Sequence, residues 1–216
     1  MFKHWFNRYK ALKHIHFEGE KSRLFFHKNV WFYCEKNSKI LIRNGLVQIG
    51  YGFPGRSQRP SYDKAVITLK EGATLILGGG THISHGVSIH VGRDGKMILA
   101  GKNWVANNCT FICSNELTLG HKTSLSWNVT LIDDDERVFF REDGTPIQSA
   151  SRKLIIGDNV GLMMNVVIPK GVTIGENAVI GANTVVRRDI PDNCLVYQNP
   201  EMKIRYDTTV GLQNLE

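Results

Sequence analysis

The chain has 216 residues, of which 42% are hydrophobic, and its formal net charge is +7 at pH 7. This length suits one or at most two domains, and this composition excludes an intrinsically disordered chain. Much of the positive charge lies in the first 28 residues, where we interpret it as a solvated basic face. Polyanion binding is the alternative, but we expect no nucleic-acid partner.

The first element in chain order is an N-terminal segment, residues 1–39, in which aromatic and basic residues are interspersed. Its first 17 residues keep charges throughout, so they predict neither a secretory signal nor a membrane span. We expect the segment to cap the structure that follows, and any membrane contact to be peripheral at most. Four cysteines without CxxC spacing indicate reduced, partly buried thiols and a cytoplasmic protein.

The strongest pattern is a repeat of six residues in the C-terminal half. An aliphatic residue recurs at Ile156, Leu162, Ile168, Ile174, Ile180 and Val186. Second inward candidates follow four residues after each, at Val160, Val166, Val172, Ala178, Thr184 and Ile190. A period of six fits neither an α-helix nor a hairpin ladder, and it indicates a short strand followed by a tight corner. Three such faces close a triangular coil, and stacked coils bury a continuous core.

The repeat predicts an all-β fold, a left-handed parallel β-helix of hexapeptide repeats over residues 40–192, with a C-terminal tail at 193–216. Upstream, the same phase runs through Leu77, Ile83, Ile89, Leu99, Val105, Phe111, Leu119, Leu125 and Leu131. We expect the helix to begin near Ile40 and residues 46–65 to bulge from it. Because Leu131 and Ile156 should lie on adjacent faces, we expect residues 133–151 to leave the coil as an extruded loop.

Over residues 67–205 this sequence resembles the bacterial hexapeptide-repeat acyltransferases, in particular O-acetyltransferases of sugars and of capsule or lipopolysaccharide building blocks. The resemblance is strongest over IGDNVGLMMNVVIPKGVTIGENAVIGANTVVRRDIPDN. It implies a homotrimer, with acetyl-CoA as the acyl donor in the groove between neighbouring β-helices. It also implies a loop histidine that acts as general base on a saccharide hydroxyl, a poor nucleophile at neutral pH.

The sequence departs from this family pattern at several positions. Arg137 stands where the catalytic histidine is expected, and a guanidinium cannot accept a proton at physiological pH. Gly161 replaces a tryptophan that lines the family's active groove, and Met163 and Met164 replace a pair of small residues. A base must therefore come from elsewhere if the chain is an active enzyme.

We identify Asp135 as the first candidate base, because it lies two residues from Arg137 in the acidic run 133–136. His85 and His121 follow, since a neighbouring subunit could present either. Trp127 has the coil phase of His85, which predicts that the two share one edge.

The acidic run is alternatively a solvated corner or a divalent-metal site on Asp133 and Asp135. A zinc site on His85, His90 and His121 is a further alternative, although the leading interpretation requires no metal.

The resemblance places the phosphates of coenzyme A near the last coils, where charge-assisted contacts would hold them. The cofactor-binding candidates are Lys170, Ala182, Arg187, Arg188, Asn199 and Lys203. A plain basic surface is the alternative interpretation. The function expected is acetyl-CoA-dependent O-acylation of a saccharide during surface-polysaccharide synthesis, with lipid-linked and nucleotide-linked acceptors both open. The rival is a β-helix without catalysis that binds a sugar or a partner.

Overall fold

A computed structural model describes residues 11–52, 63–134, 139–147 and 153–198. Twenty-three short strands account for the regular structure of this part of the chain. They are β1 Ile15–Glu18, β2 Arg23–Phe26, β3 Val30–Cys34, β4 Lys39–Arg43, β5 Leu46–Ile49, β6 Ala65–Leu69, β7 Thr74–Gly78, β8 His82–Ile83, β9 Ser88–Val91, β10 Lys96–Leu99, β11 Trp104–Val105, β12 Thr110–Cys113, β13 Glu116–Leu119, β14 Ser124–Leu125, β15 Thr130–Ile132, β16 Phe139–Phe140, β17 Pro146–Ile147, β18 Leu154–Ile156, β19 Gly161–Leu162, β20 Val167–Ile168, β21 Thr173–Ile174, β22 Val179–Ile180 and β23 Leu195–Val196.

All strands except β16 and β17 belong to three parallel sheets that the chain visits in rotation. Sheet 1 has the order β1-β4-β7-β10-β13-β18-β21, sheet 2 the order β2-β5-β8-β11-β14-β19-β22-β23, and sheet 3 the order β3-β6-β9-β12-β15-β20. Each strand pairs with the strand one turn later, so every turn of chain adds one layer to a prism. The fold is the predicted left-handed parallel β-helix.

The core is a set of aliphatic columns that run along the inside of each sheet. In sheet 1, Leu77 pairs with Leu99, Leu99 with Leu119, and Leu119 with Ile156. All of the inward positions predicted from the six-residue repeat are buried, including Thr184. Ile156 pairs with Ile174, which fixes the length of that coil at 18 residues. The predicted phase is confirmed by this register.

Asparagine takes the corner positions that require a left-handed backbone, because its short side chain tolerates a positive φ. Asn165 and Asn183 both have a φ of 59°. Their side chains form a ladder parallel to the helix axis, in which Asn128 donates to Asn165 and Asn165 donates to Asn183. Stacked amides of this kind hold successive coils in register.

The β-helix extends beyond both boundaries that the sequence predicted. Strands β1, β2 and β3 pair in parallel with β4, β5 and β6, so residues expected to form a separate cap form the first coil instead. Strand β5 lies in sheet 2, which removes residues 46–49 from the expected bulge; residues 53–62 of that segment lie outside the described residues. At the other end, β23 pairs with β22, so sheet 2 continues past residue 192. At these ends the spacing between strands departs from the regular repeat, and this hides the six-residue period in the sequence.

An excursion leaves the prism between β15 in sheet 3 and β18 in sheet 1. Leu119 pairs with Ile156, 37 residues further along, where the next coil needs only 18. Within the excursion, β16 and β17 form an antiparallel hairpin that pairs Phe139 with Ile147. The turn is closed by Asp143, whose carboxylate accepts the backbone N–H of Thr145 at 2.8 Å. The described residues include no helix long and apolar enough to span a membrane.

Candidate active site

The prism has three edges, and each candidate residue belongs to one of them. Edge I is the series of corners between sheets 1 and 2, edge II lies between sheets 2 and 3, and edge III lies between sheets 3 and 1. Residues on one edge in successive coils are neighbours, whereas residues on different edges of one subunit are separated by the width of a sheet. The edge of each candidate therefore decides which of them can act together.

Asp133 is the root of the extruded loop, and it is fully buried. Its carboxylate oxygens accept the backbone N–H groups of Ser114 at 2.6 Å and of Asn115 at 2.8 Å, one on each oxygen. Its own backbone N–H donates to Ile112, which continues sheet 3 by one residue. Asp133 is thus a structural anchor between two coils, and its carboxylate is not accessible to a ligand at the surface. The divalent-metal interpretation, which needs an exposed carboxylate here, is not supported at this residue.

Cys113 lies beside Asp133, one coil earlier in sheet 3. Burial, reinforced by the negative charge of Asp133, raises the pKa of the Cys113 thiol. Burial also raises the pKa of Cys109 to about 12 and that of Cys34 to about 11. All four cysteines are free, and Cys34 and Cys194 are only half-buried, so the expected reduced, partly buried thiols are found.

Of the other charged residues at the loop root, the structure describes Asp134 but not Asp135 or Arg137. Asp134 is half-buried directly after the anchor. Asp135, the first candidate base, and Arg137, which replaces the family's histidine, lie outside the described residues. Their roles stay predictions.

His85 lies on edge II, between β8 and β9, and its imidazole is constrained. The side-chain amide of Asn107, in the next coil, lies 3.2 Å from Nε2 and donates to it. Nδ1 is buried and has no hydrogen-bond partner in the described part of the chain. Nε2 of His85 is thus occupied by the side chain of Asn107 in the isolated subunit.

His121 lies on edge I and is exposed, with its backbone N–H donating to Asp158 at 2.7 Å. His85 and His121 are thus on different edges and do not meet within one subunit. His90 lies on sheet 3, within β9. Among the described residues no three His, Cys, Asp or Glu side chains come together as metal ligands. The zinc alternative for these histidines has no geometric support in a single chain.

The cofactor-binding candidates divide between two edges. Val167 bridges to Val185, so Lys170 and Arg188, each three residues further on, occupy the same corner of edge III in adjacent coils. Arg187 and Arg188 are exposed and have no ion-pair partner in the described ranges. Ala182 is exposed on edge II, in the column of Met164. Asn199 and Lys203 lie outside the described residues.

Aromatic side chains concentrate on the outer face of sheet 2 and on edge II. Trp104 in β11 pairs with His82 in β8 and with Ser124 in β14. The rings of His82 and Trp104 stack with centroids 4.1 Å apart and planes at 5°. Trp127, 36% exposed, occupies the corner position of His85 two coils further on. The predicted shared edge is confirmed.

Gly161 lies in the same outward column, next to Ser124. A β-carbon at Gly161 would meet nothing closer than 3.5 Å, and its backbone angles are ordinary, so the coil does not require glycine here. Met163 and Met164 follow it and are 40% and 43% exposed. The family's tryptophan is therefore missing from a position where the backbone accepts a β-carbon, while Trp104 lies two coils earlier in the same column.

Comparisons with known proteins agree with the repeat. Residues 153–188 match the family model described as bacterial transferase hexapeptide (six repeats). These residues form the most regular coils of the prism, from the residue before β18 to Arg188 of edge III. The chain therefore carries the hexapeptide repeat of bacterial transferases on a left-handed β-helix.

The curated relatives include galactoside O-acetyltransferases. The chain is 36% identical over 127 residues to the enzyme of Escherichia coli (strain K12), covering 57% of each chain. It is 33% identical over 111 residues to that of Lactococcus lactis, covering 50% of this chain and 52% of the relative. The chain thus spans about half the length of these relatives. Among solved structures, the polySia-specific acetyltransferase NeuO aligns over 94% of this chain and 92% of its own, at 18% identity and a TM-score of 0.42.

Sequence reasoning missed two features of this region. The inward role of Asp133 could have been found, since Asp133 follows Leu131 by two residues and so continues the inward phase of β15. The neighbouring positions of His82 and Trp104 also follow from the phase, since Ile83 and Val105 occupy equivalent positions in successive coils. The face-to-face stacking of their rings could not be predicted, because the phase fixes the strand register and leaves the side-chain rotamers open.

Proposed function

We propose that this protein is an acetyl-CoA-dependent O-acyltransferase that acts on a saccharide. The observation that carries the proposal is the 36% identity to a galactoside O-acetyltransferase over a stretch that includes regular β-helical coils. The extruded hairpin between β15 and β18 supports it, because a long excursion from a regular scaffold is usually functional. In this proposal the excursion brings Asp135 to the acceptor hydroxyl as its general base.

The acyl donor would lie between subunits of a homotrimer. Coenzyme A needs cations for its phosphates, and edge III offers Lys170, Arg187 and Arg188 at adjacent corners. Ala182 and Trp127 lie on edge II of the same subunit, and Trp104 lies on the adjoining outer face of sheet 2. A groove formed by edge III of one subunit and edge II of its neighbour would unite the two sets. Because the cations and the aromatic residues lie on different edges of one subunit, this arrangement favours a trimer, in which two subunits share a groove, over a monomeric enzyme.

The setting proposed is the synthesis of surface polysaccharides in the cytoplasm, where free thiols persist. Acceptors joined to a lipid or to a nucleotide both fit an exposed groove. The outward aromatic residues of the first coil, Phe17, Phe25 and Tyr33, are 45–57% exposed and would permit peripheral contact with a lipid-linked acceptor.

A second candidate is a non-catalytic β-helix that binds a sugar or a partner. Arg137 at the histidine position favours it, as does Gly161, because the family's tryptophan is absent although the backbone there does not require glycine. Sugar binding is compatible with both functions, but only the enzyme needs coenzyme A.

Titration with coenzyme A, followed by calorimetry, separates the two candidates. We expect binding in the micromolar range and a loss of about tenfold in Arg188→Ala, since a charge-assisted hydrogen bond contributes about 1.5–3 kcal/mol. Lys96→Ala, an exposed cation in β10 of sheet 1, is the matched control and should bind normally. Absence of binding in the wild type would favour the scaffold. A monomer by sedimentation at micromolar concentration would remove the groove between subunits.

A further inference from the structure

The outer face of sheet 2 contains a groove of about 180 Å³, which we name the sheet 2 groove. It is lined by Trp104, Ser124, Ser126, Trp127 and Met163, together with small parts of the neighbouring aliphatic residues. None of its lining side chains is charged. The groove therefore offers aromatic surface and two hydroxyl groups to a ligand, and no counter-ion.

Trp104 forms a rigid wall of the sheet 2 groove. Its indole is stacked on His82, which is itself buried and held by a 2.9 Å hydrogen bond from Nε2 to the carbonyl oxygen of Tyr51. His82, Trp104 and Ser124 succeed one another across sheet 2, so His82 covers one face of the indole and the other face is directed toward Ser124. An aromatic ring fixed in this way binds a ligand without losing much conformational freedom.

Gly161, the next residue across the sheet from Ser124, adds no side chain to the outer face of sheet 2 beside the groove. A β-carbon there would meet only Met163 and Val179, at 3.5 Å and beyond. A tryptophan at this position would fill the space beside Ser124. Glycine at this position therefore leaves the surface beside Ser124 uncovered.

Trp127 forms the opposite wall, at the corner where sheet 2 turns into sheet 3. It is 36% exposed, so part of its indole is accessible to a ligand. Two indoles with hydroxyl groups between them match the chemistry of a pyranose ring, which has apolar C–H faces and hydroxyl groups at its edge. Aromatic side chains supply the apolar contact, and a few placed polar groups supply the orientation.

We propose that the sheet 2 groove binds one pyranose ring of an uncharged saccharide, and that this ring belongs to the acceptor; this inference rests on the proposed acyltransferase function. The volume is below the 300–1,000 Å³ that is typical of pockets for larger ligands, so it suits a single ring. The absence of charge in the lining disfavours coenzyme A, whose phosphates would instead meet the cations of edge III. The acceptor would then bind on sheet 2 of one subunit, and coenzyme A would bind along edge III of its neighbour.

The test uses full-length protein with 15N-labelled tryptophan, which gives four indole N–H signals, from Trp5, Trp31, Trp104 and Trp127. The probes are the methyl glycosides of galactose, glucose, mannose and N-acetylglucosamine, titrated separately. We expect at least one of them to shift the signals of Trp104 and Trp127 and to leave that of Trp31 in place. Trp127→Ala should weaken the binding of that glycoside by about tenfold, and Trp127→Phe by less.

Trp31→Ala is the matched control, because Trp31 is a half-exposed indole on sheet 3 that stacks on Tyr33 away from the groove. It should bind the glycoside as the wild type does. The inference is overturned if no glycoside shifts either groove signal, or if Trp127→Ala binds the glycoside as tightly as the wild type does. It is equally overturned if Trp127→Ala dissociates the oligomer while no glycoside shifts the wild-type signals, since the face would then be a contact with a second copy of the chain.

The same samples separate this inference from the proposed function. Coenzyme A binding without any glycoside shift would contradict the sheet 2 groove alone. Glycoside shifts without coenzyme A binding would contradict the acyltransferase and leave the groove in place. Because Trp127 is partly exposed, its variants are expected to fold, and a far-ultraviolet circular dichroism spectrum equal to that of the wild type checks this.

Discussion

The imidazole of His82 and the indole of Trp104 lie face to face, with ring centroids 4.1 Å apart and planes at 5°. Burial lowers the pKa of His82, although its hydrogen bond to the carbonyl of Tyr51 opposes the shift. Because a carbonyl only accepts, the Nε2 atom of His82 carries the proton in the neutral ring. The neutral His82 is therefore the species that supports Trp104.

The first prediction is a pH dependence of stability that comes from His82. Since the pKa is lower in the folded state than the ordinary value of 6.5, the unfolded chain takes up the proton first as the pH falls. The free energy of unfolding should thus be constant above about pH 7 and decrease as the pH falls below 6.5. His82→Phe keeps a ring against Trp104 and cannot titrate. Urea unfolding at several pH values should show a shallower decrease for this variant; an equal decrease would contradict the assignment.

The second prediction concerns the anchor of the extruded loop. Asp133→Ala leaves the backbone N–H groups of Ser114 and Asn115 without their acceptor, at a cost of about 1 kcal/mol each, because both residues remain partly accessible to water. We expect a loss of about 2 kcal/mol in chemical denaturation. Asp143→Ala, which removes a similar carboxylate from the exposed hairpin turn, is the control and should change stability by less than about 0.5 kcal/mol. Equal effects of the two substitutions would show that burial of Asp133 contributes nothing.

The third prediction follows from the sequence of the loop, since Asp135 and Arg137 lie outside the described residues. If Asp135 is the general base, Asp135→Asn should lower the rate of acetyl transfer by about 10²–10⁴-fold while coenzyme A still binds. Activity should also fall at acid pH, with an apparent pKa above the usual value of about 4. Arg137→His should raise a weak activity if only the base has been lost. Glu142→Gln, in the exposed hairpin turn, is the acidic control.

The results for Asp135→Asn and Arg137→His together distinguish a replaced base from a wider loss of the site. A wild type that binds acetyl-CoA, transfers no acetyl group to any sugar and gains nothing from Arg137→His would contradict a simple replacement of the base. Gly161, Met163 and Met164 would then be the next positions to restore.

The fourth prediction concerns thiol reactivity. The thiolate is the reactive form, and a pKa of about 12 leaves Cys109 with about one thiolate in ten thousand at pH 8. Cys109 and Cys113 are also fully buried. Iodoacetamide at pH 8 should therefore leave both residues unmodified in the native protein, and peptide mass spectrometry should find all four cysteines labelled in guanidinium chloride. Labelling of Cys109 in the native protein would mean that the coil opens locally.

The sequence by itself determined the architecture of this protein. A six-residue period from Ile156 to Val186 is enough to predict strand, corner and inward face, because one coil needs three such units and their side chains must alternate between core and solvent. The same phase correctly placed Trp127 with His85. It failed at the ends, where insertions between strands hide the period and the first coil was taken for a cap.

Only the tertiary structure decided which contacts the side chains of the candidate site make. The sequence grouped Lys170, Ala182 and Arg188 as one cofactor site, but the register of the coils puts Ala182 on a different edge. The structure also shows that Asp133 accepts two backbone N–H groups and that the rings of His82 and Trp104 stack. Such contacts depend on the number of residues in each intervening coil, which varies between 16 and 37 in this chain. A short sequence pattern does not specify these lengths.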